Sequence, residues 1–196
     1  MIELFPIPVG VYRLEREFSS EELDFMKNQE WRQNLSNVNS VDNFILNNKE
    51  LSKLKLFAEE ALRDYVRNTI NPVDGNEFYI TQSWVNVTKP EQYHHGHVHR
   101  NSLLSGVLYV NIGSVDDGIH FTDTKYKRIE LLKKGMTKYN SSEYISVQTG
   151  DLILFPSELE HYVELVKSSS DRISLSFNTF VRGNIGSDEL LEGLKL

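Results

Sequence analysis

Four of the six histidines in this 196-residue chain, His94, His95, His97 and His99, fall within six positions. Neutral imidazole is a ligand for transition metals, and its charge changes near physiological pH. On an extended strand, residues two apart point to the same side, so His97 and His99 are expected to share a face. His95 with His97 has the same spacing and is the alternative pair. The last histidine, His161, follows the apolar run 152–155 and the segment Pro156-Ser157-Glu158-Leu159-Glu160. Beyond it, Arg172, Ser174, Ser176 and Asn178 alternate with Ile173, Leu175, Phe177 and Thr179. That strand has a wholly polar side, which fits either a solvent-exposed edge or the wall of a cavity. An arginine buried there needs a carboxylate partner for its bidentate fork, and the carboxylate of a ligand would serve. There are no cysteines. Thiolate sites are therefore excluded, leaving His, Asp and Glu as donors for iron, manganese, zinc or copper. Ser102 lacks the G-x-S-x-G surroundings of a serine nucleophile.

These residues must be held by strands. From residue 77 onward the chain reads as short strands at 78–89, 97–99, 103–111, 119–122, 129–132, 144–147, 152–156, 162–166 and 172–181, separated by turn signals. Such a run predicts a mainly β sandwich or barrel. Upstream, residues 2–12 with Pro6 and Pro8 suit an edge strand or extended arm. Ser19 or Ser20 caps a helix reaching about Gln29, with acidic residues in its first turn. Residues 31–48 are rich in Asn and Ser and read as mostly loop. Leu51, Leu54, Phe57, Ala58, Ala61, Leu62, Tyr65 and Val66 recur at helical spacing and predict one amphipathic helix over 48–68, packed on a sheet. Residues 187–194 are expected to close the chain with a short helix. Trp84 is read as core, and Tyr93, His94 and His95 as a polar loop, with the lining of a pocket mouth as the alternative. The whole is expected to be a single domain over 1–196, divided into an N-terminal arm and helices (1–76), a β core (77–183) and a C-terminal tail (184–196).

Composition sets the remaining bounds. Hydrophobic residues make up 39% and charged residues 25%, as in ordinary globular domains. A net charge of −7 argues against non-specific nucleic-acid binding. Lys125, Lys127, Arg128, Lys133, Lys134 and Lys138 form a local basic stretch, read as a solvated loop or hairpin with a substrate-steering rim as the alternative. No apolar run is long enough to span a membrane and no secretory leader is apparent, so the expected location is cytoplasmic. A homodimer is a general expectation for a soluble enzyme.

The order His-x-His, then Leu-Ser-Gly-Val-x-Tyr-Val, then Gly-Asp-Leu-x-x-Phe-Pro-Ser-x-x-x-His, then Arg-x-Ser-x-Ser-Phe-Asn resembles the 2-oxoglutarate- and Fe(II)-dependent oxygenases, in the branch seen in phages and marine bacteria. The resemblance covers roughly residues 79–181. It implies a double-stranded β-helix, a cupin-like jelly roll, with N-terminal helices on one face. It further implies that His97 and His161 ligate iron, and that Arg172 holds the distal carboxylate of 2-oxoglutarate beside Ser174. Asn86, Tyr109 and Asn178 are candidate hydrogen-bonding partners of that cosubstrate. The implied activity is O2-dependent hydroxylation of a small-molecule or peptidyl substrate, with release of succinate and CO2.

One position departs from the superfamily pattern: His99 stands where the facial triad of two histidines and a carboxylate usually places an acid. Three options follow: a three-histidine site, a vacancy filled by another residue, or a lost activity. A non-catalytic jelly-roll module that binds ligand or metal is the alternative function. A three-histidine zinc hydrolase is a further one, although it gives Arg172 and Ser174 no special role.

Overall fold

The structure is a computed structural model and describes residues 2, 4–122, 134–135 and 141–196. The expected strand at 129–132 and most of the basic stretch lie outside the described residues. Two antiparallel sheets pack on each other. The larger has the order β1 (Gly10–Arg13), β9 (Asp151–Pro156), β6 (Leu104–Asn111), β11 (Arg172–Arg182), β4 (Glu77–Thr88), β3 (Val38–Ser40), β2 (Trp31–Gln33). The smaller has the order β5 (His94–His97), β10 (Glu160–Val163), β7 (Ile119–Thr122), β8 (Ser142–Ile145). From β4 to β11 the chain passes repeatedly between the two sheets, and this winding makes the jelly roll that the family resemblance implied.

Strand alternation gives the large sheet two different faces. On one, Val85, Leu104, Leu108, Leu152, Leu154, Leu175 and Phe177 pack under the helices α1 (Ser20–Lys27) and α2 (Ser52–Thr69). On the other, Val107, Tyr109, Ile153 and Phe155 meet Ile119 and Phe121 of the small sheet. α2 buries Leu54, Ala58, Ala61, Leu62, Tyr65 and Val66, one face at three- and four-residue spacing as the sequence predicted. Tyr65 Oη donates to the Pro8 carbonyl at 2.8 Å, tying the N-terminal arm to this helix, and β1 then pairs with β9 at the sheet edge. In α1, Ser19 caps and Glu22 completes a capping box. Glu22 also takes both guanidinium nitrogens of Arg16, at 2.8 and 2.6 Å.

Several elements differ from the sequence reading. Residues 31–48 are not mostly loop: β2 and β3 form a hairpin that extends the large sheet through the pairs Val38↔Val87 and Asn39↔Asn86. Its polar residues conceal the strand because they face a polar cavity rather than the core. Residues 187–194 are not a closing helix. Hydrogen bonds from Leu190 and Glu192 to Ser187 close only turns, and β12 (Asn184–Ile185) then pairs with β13 (Leu194–Lys195). Strand β10 begins at Glu160 and so includes His161. Among the described residues, no helix is long and apolar enough to cross a membrane.

Gly106 lies opposite Phe177, where the ring occupies the space of a side chain: a Cβ there would come within 2.1 Å of the ring. Phe177 is wholly buried between β6 and the helices. Gly106→Ala is therefore expected to destabilise the protein by about 1–3 kcal/mol through overpacking. Urea unfolding of the variant would measure it, as a lower midpoint at unchanged slope.

Candidate metal centre

His97 and His161 are direct partners across the antiparallel pair β5–β10, so the sheet itself brings them together. Their ring centroids are 4.4 Å apart. His99 lies past the end of β5, where its N–H donates to the Ser157 carbonyl at 2.9 Å. The same-face argument from a single strand thus gives way to a strand and its outgoing turn, yet the three side chains still converge. Potential ligand atoms of His97, His99 and His161 lie within 4.8 Å of one another. His95, the alternative partner for His97, is outside this group of three.

Each ring is fixed by its Nδ1. His97 Nδ1 meets the His95 carbonyl at 2.8 Å and His161 Nδ1 meets the Leu159 carbonyl at 3.0 Å. A carbonyl only accepts, so both Nδ1 atoms carry the proton and both Nε2 atoms present lone pairs. His99 Nδ1 meets Ser105 Oγ at 2.7 Å. Ser105 in turn donates to Asn178 Oδ1 and contacts Ser157 Oγ at 2.8 Å. Donating to Asn178, Ser105 can accept from the Nδ1-protonated tautomer of His99, the form whose Nε2 is free for a metal. The Nε2 atoms of His97 and His99 are 3.1 Å apart. That separation is a hydrogen-bond distance, and the Nδ1 contacts on the far side hold the two rings to it. This is the arrangement by which outer partners orient histidine ligands.

Burial holds these imidazoles uncharged. It lowers the pKa of His97, sets His99 at about 4 with help from the neighbouring His97, and carries His161 well below the ordinary histidine value. Neutral imidazole is the form that binds metal.

Across the cavity, β11 presents Arg172, Ser174 and Ser176 from the large sheet. Arg172 is fully buried. Its Nε donates to the Asp117 carbonyl at 2.8 Å, one terminal nitrogen reaches Ser174 Oγ at 3.5 Å, and its guanidinium lies 5.1 Å from the centroid of the Tyr109 ring. The Asp117 carboxylate is turned away, accepting the backbone N–H groups of Lys167 and Ser168. No ion pair joins Arg172 to a described residue. Burial pulls its pKa below the ordinary arginine value, but a guanidinium does not give up its proton in a protein. Tyr109 Oη is buried against the Arg172 side chain, outside the cavity lining, and burial raises its pKa to about 12. A buried cation with no acid paired to it among the described residues suits a ligand carboxylate.

The remaining candidates have other surroundings. Asn86 lines the cavity, but its side chain is engaged: it donates to Ser176 Oγ and accepts from Asn39 Nδ2 and Trp84 Nε1. Asn178 stands behind His99 as the acceptor for Ser105 rather than on the cavity wall. Sequence reasoning assigned Trp84 to the core, whereas it lines the cavity with its ring edge-on to His99, 5.5 Å between centroids. It preferred a loop for His94 and His95, with the lining of a pocket mouth as the alternative, and the alternative holds. Both belong to β5 and line the cavity, and the His94 ring stacks on His97 at 4.7 Å. The cavity joining the triad to Arg172 has a volume of about 260 Å³.

Residues 82–178 match the sequence profile of a family described as "Putative 2OG-Fe(II) oxygenase". No curated protein is similar in sequence. Solved structures share the fold at low identity. One is an oxidoreductase of the 2OG-Fe(II) oxygenase family from Burkholderia pseudomallei, at 14% identity over 87% of this chain and 84% of that one, with a TM-score of 0.57. HygX from Streptomyces hygroscopicus, with nickel and 2-oxoglutarate bound, matches at 13% identity over 88% and 82%, with a TM-score of 0.61. A prolyl-4-hydroxylase from Pseudomonas putida matches at 17% identity over 88% and 92%, with a TM-score of 0.53. The histidine triad and the unpaired buried arginine fit the metal and cosubstrate that the family's description names. Residues 82–178, just under half of the chain and the part that carries this site, are therefore similar to the 2OG-Fe(II) oxygenase family.

Proposed function

We propose that this protein is an Fe(II)- and 2-oxoglutarate-dependent dioxygenase that hydroxylates a C–H bond of its substrate and releases succinate and CO2. The observation that carries the reading is a three-nitrogen metal site and an unpaired, fully buried arginine opening into one cavity. His97, His99 and His161 would hold iron through Nε2, leaving positions open for 2-oxoglutarate and O2. Arg172 and Ser174 would bind the distal carboxylate, with Tyr109 Oη against the Arg172 side chain. Bound iron, with 2-oxoglutarate and O2, supplies oxidative decarboxylation and oxygen transfer to carbon. The chain's own work is to orient and to desolvate. Trp84 and His94 flank the triad, Val107 and Ile119 line the apolar end of the cavity, and Arg172 fixes the cosubstrate end. The third histidine in place of a carboxylate makes the iron site one charge more positive. The motif order supports a place in the phage and marine-bacterial branch.

Anaerobic titration of apoprotein with Fe(II) and then 2-oxoglutarate, followed by visible absorption, tests this directly. A charge-transfer band requiring both additions is expected. Iron binding without the band would favour a binding module, and no iron binding would overturn the reading. Arg172→Ala is expected to retain iron and to weaken 2-oxoglutarate by roughly thirty-fold or more, the effect of losing one partner of a buried charge pair. Ser105→Ala removes the group that orients His99 Nδ1 and is expected to cost about 10–100-fold in metal affinity, measured by competition with a chelator.

The pH dependence has a definite sign. The folded pKa values of His97, His99 and His161 lie below the unfolded value near 6.5, so the unfolded chain takes up protons first as pH falls. Stability of metal-free protein is expected to be level above about pH 7 and to decline as pH drops from about 6.5 towards 4, the window set by His99. Metal affinity should fall over the same range. Thermal unfolding with and without metal would measure both.

A further inference from the structure

We propose that the substrate is a small molecule bearing an anionic group, a carboxylate or a phosphate, held by Arg32 of the β2–β3 hairpin. This rests on the reading of the histidine triad as the reacting centre.

The hairpin forms one wall of the same cavity that holds the triad: Arg32, Gln33, Asn34 and Asn39 line it together with Trp84. A second cavity of about 250 Å³ shares Arg32, Asn39 and Trp84 and continues to Asn43 and Gln82. A path therefore leads from His99 along the Trp84 ring to Arg32. Among the described residues lining either cavity there is no aspartate or glutamate. Arg32 is exposed, forms no ion pair with a described residue, and has only a long contact, 3.4 Å, to Asn43 Oδ1. On a chain of net charge −7, this is a cation left without its counter-charge where substrate would enter. A cationic substrate would meet Arg32 with nothing to offset the repulsion, and a neutral one would leave the guanidinium unused.

Behind Arg32 the wall is fixed. Asn39 Nδ2 donates to Asn86 Oδ1 at 3.0 Å, and Asn86 is itself held by Trp84 Nε1 and Ser176 Oγ.

The test uses protein loaded with Mn(II) and saturating 2-oxoglutarate, so that Arg172 is already occupied. Calorimetric titration compares two matched sets: the α-amides of N-acetylglutamate, N-acetylglutamine and Nα-acetyl-lysine; and glycerol phosphate, glycerol and aminopropanediol. In at least one set the anionic member is expected to bind about tenfold or more tightly than the neutral one, and the cationic member most weakly; which set responds identifies the anion. Arg32→Gln should erase that preference and Arg32→Glu should reverse it, both with unchanged 2-oxoglutarate affinity. Anionic members that bind no better than neutral ones, or a preference that survives Arg32→Glu, overturn the proposal and leave the cosubstrate reading standing. Failure of wild-type protein to bind 2-oxoglutarate overturns both.

Discussion

Among the described residues that line it, the central cavity has imidazoles and guanidinium groups and no acid, so its walls can become positive but cannot neutralise themselves. Dehydration resolves this differently for the two kinds of base. The histidines stay uncharged because burial penalises their protonated form, and uncharged they become donors for a metal. Arg172 has no such escape and keeps its charge. The Asp117 carbonyl and the Tyr109 ring orient it without neutralising it. The packed strands around the cavity hold these bases in place.

The large sheet meets this demand by keeping its two faces chemically apart. β11 sends Ile173, Leu175 and Phe177 under the helices and Arg172, Ser174, Ser176 and Asn178 toward the site. β6 does the same with Leu104 and Leu108 on one face and Ser105, Val107 and Tyr109 on the other. The helices therefore do more than cover a sheet. By pinning the register of these strands with an apolar face, they fix which side chains meet the ligand, since a slip of one residue would exchange the two sets.

That alternation is why so much was legible in the amino-acid sequence. Period-two patterning exposed β11 and its polar side, helical spacing exposed α2, and ordered motifs linked His97, His161 and Arg172 over a long stretch of chain. What stayed hidden was polar structure facing a polar space. The β2–β3 hairpin carries no apolar stripe because its inner face is Asn, Gln and Arg. Trp84 resembles any core aromatic until its neighbour proves to be His99. Asn178 shares a strand face with Arg172, yet Ser105 claims it, and spacing alone does not say which acceptor a hydroxyl will choose.

The hairpin is joined to the rest of the large sheet at its margin, through the pairs of Val38 and Asn39 with β4 and the bond from Val85 N to Ser40 Oγ. No side chain of β2 belongs to the inter-sheet core, and none of the three histidines comes from it. On the proposed function, substitutions can rewrite this wall while the three histidines, the arginine and the packed strands stay as they are. The scaffold separates what the reaction is from what it acts on, and new specificities become reachable by changes confined to a few edge residues.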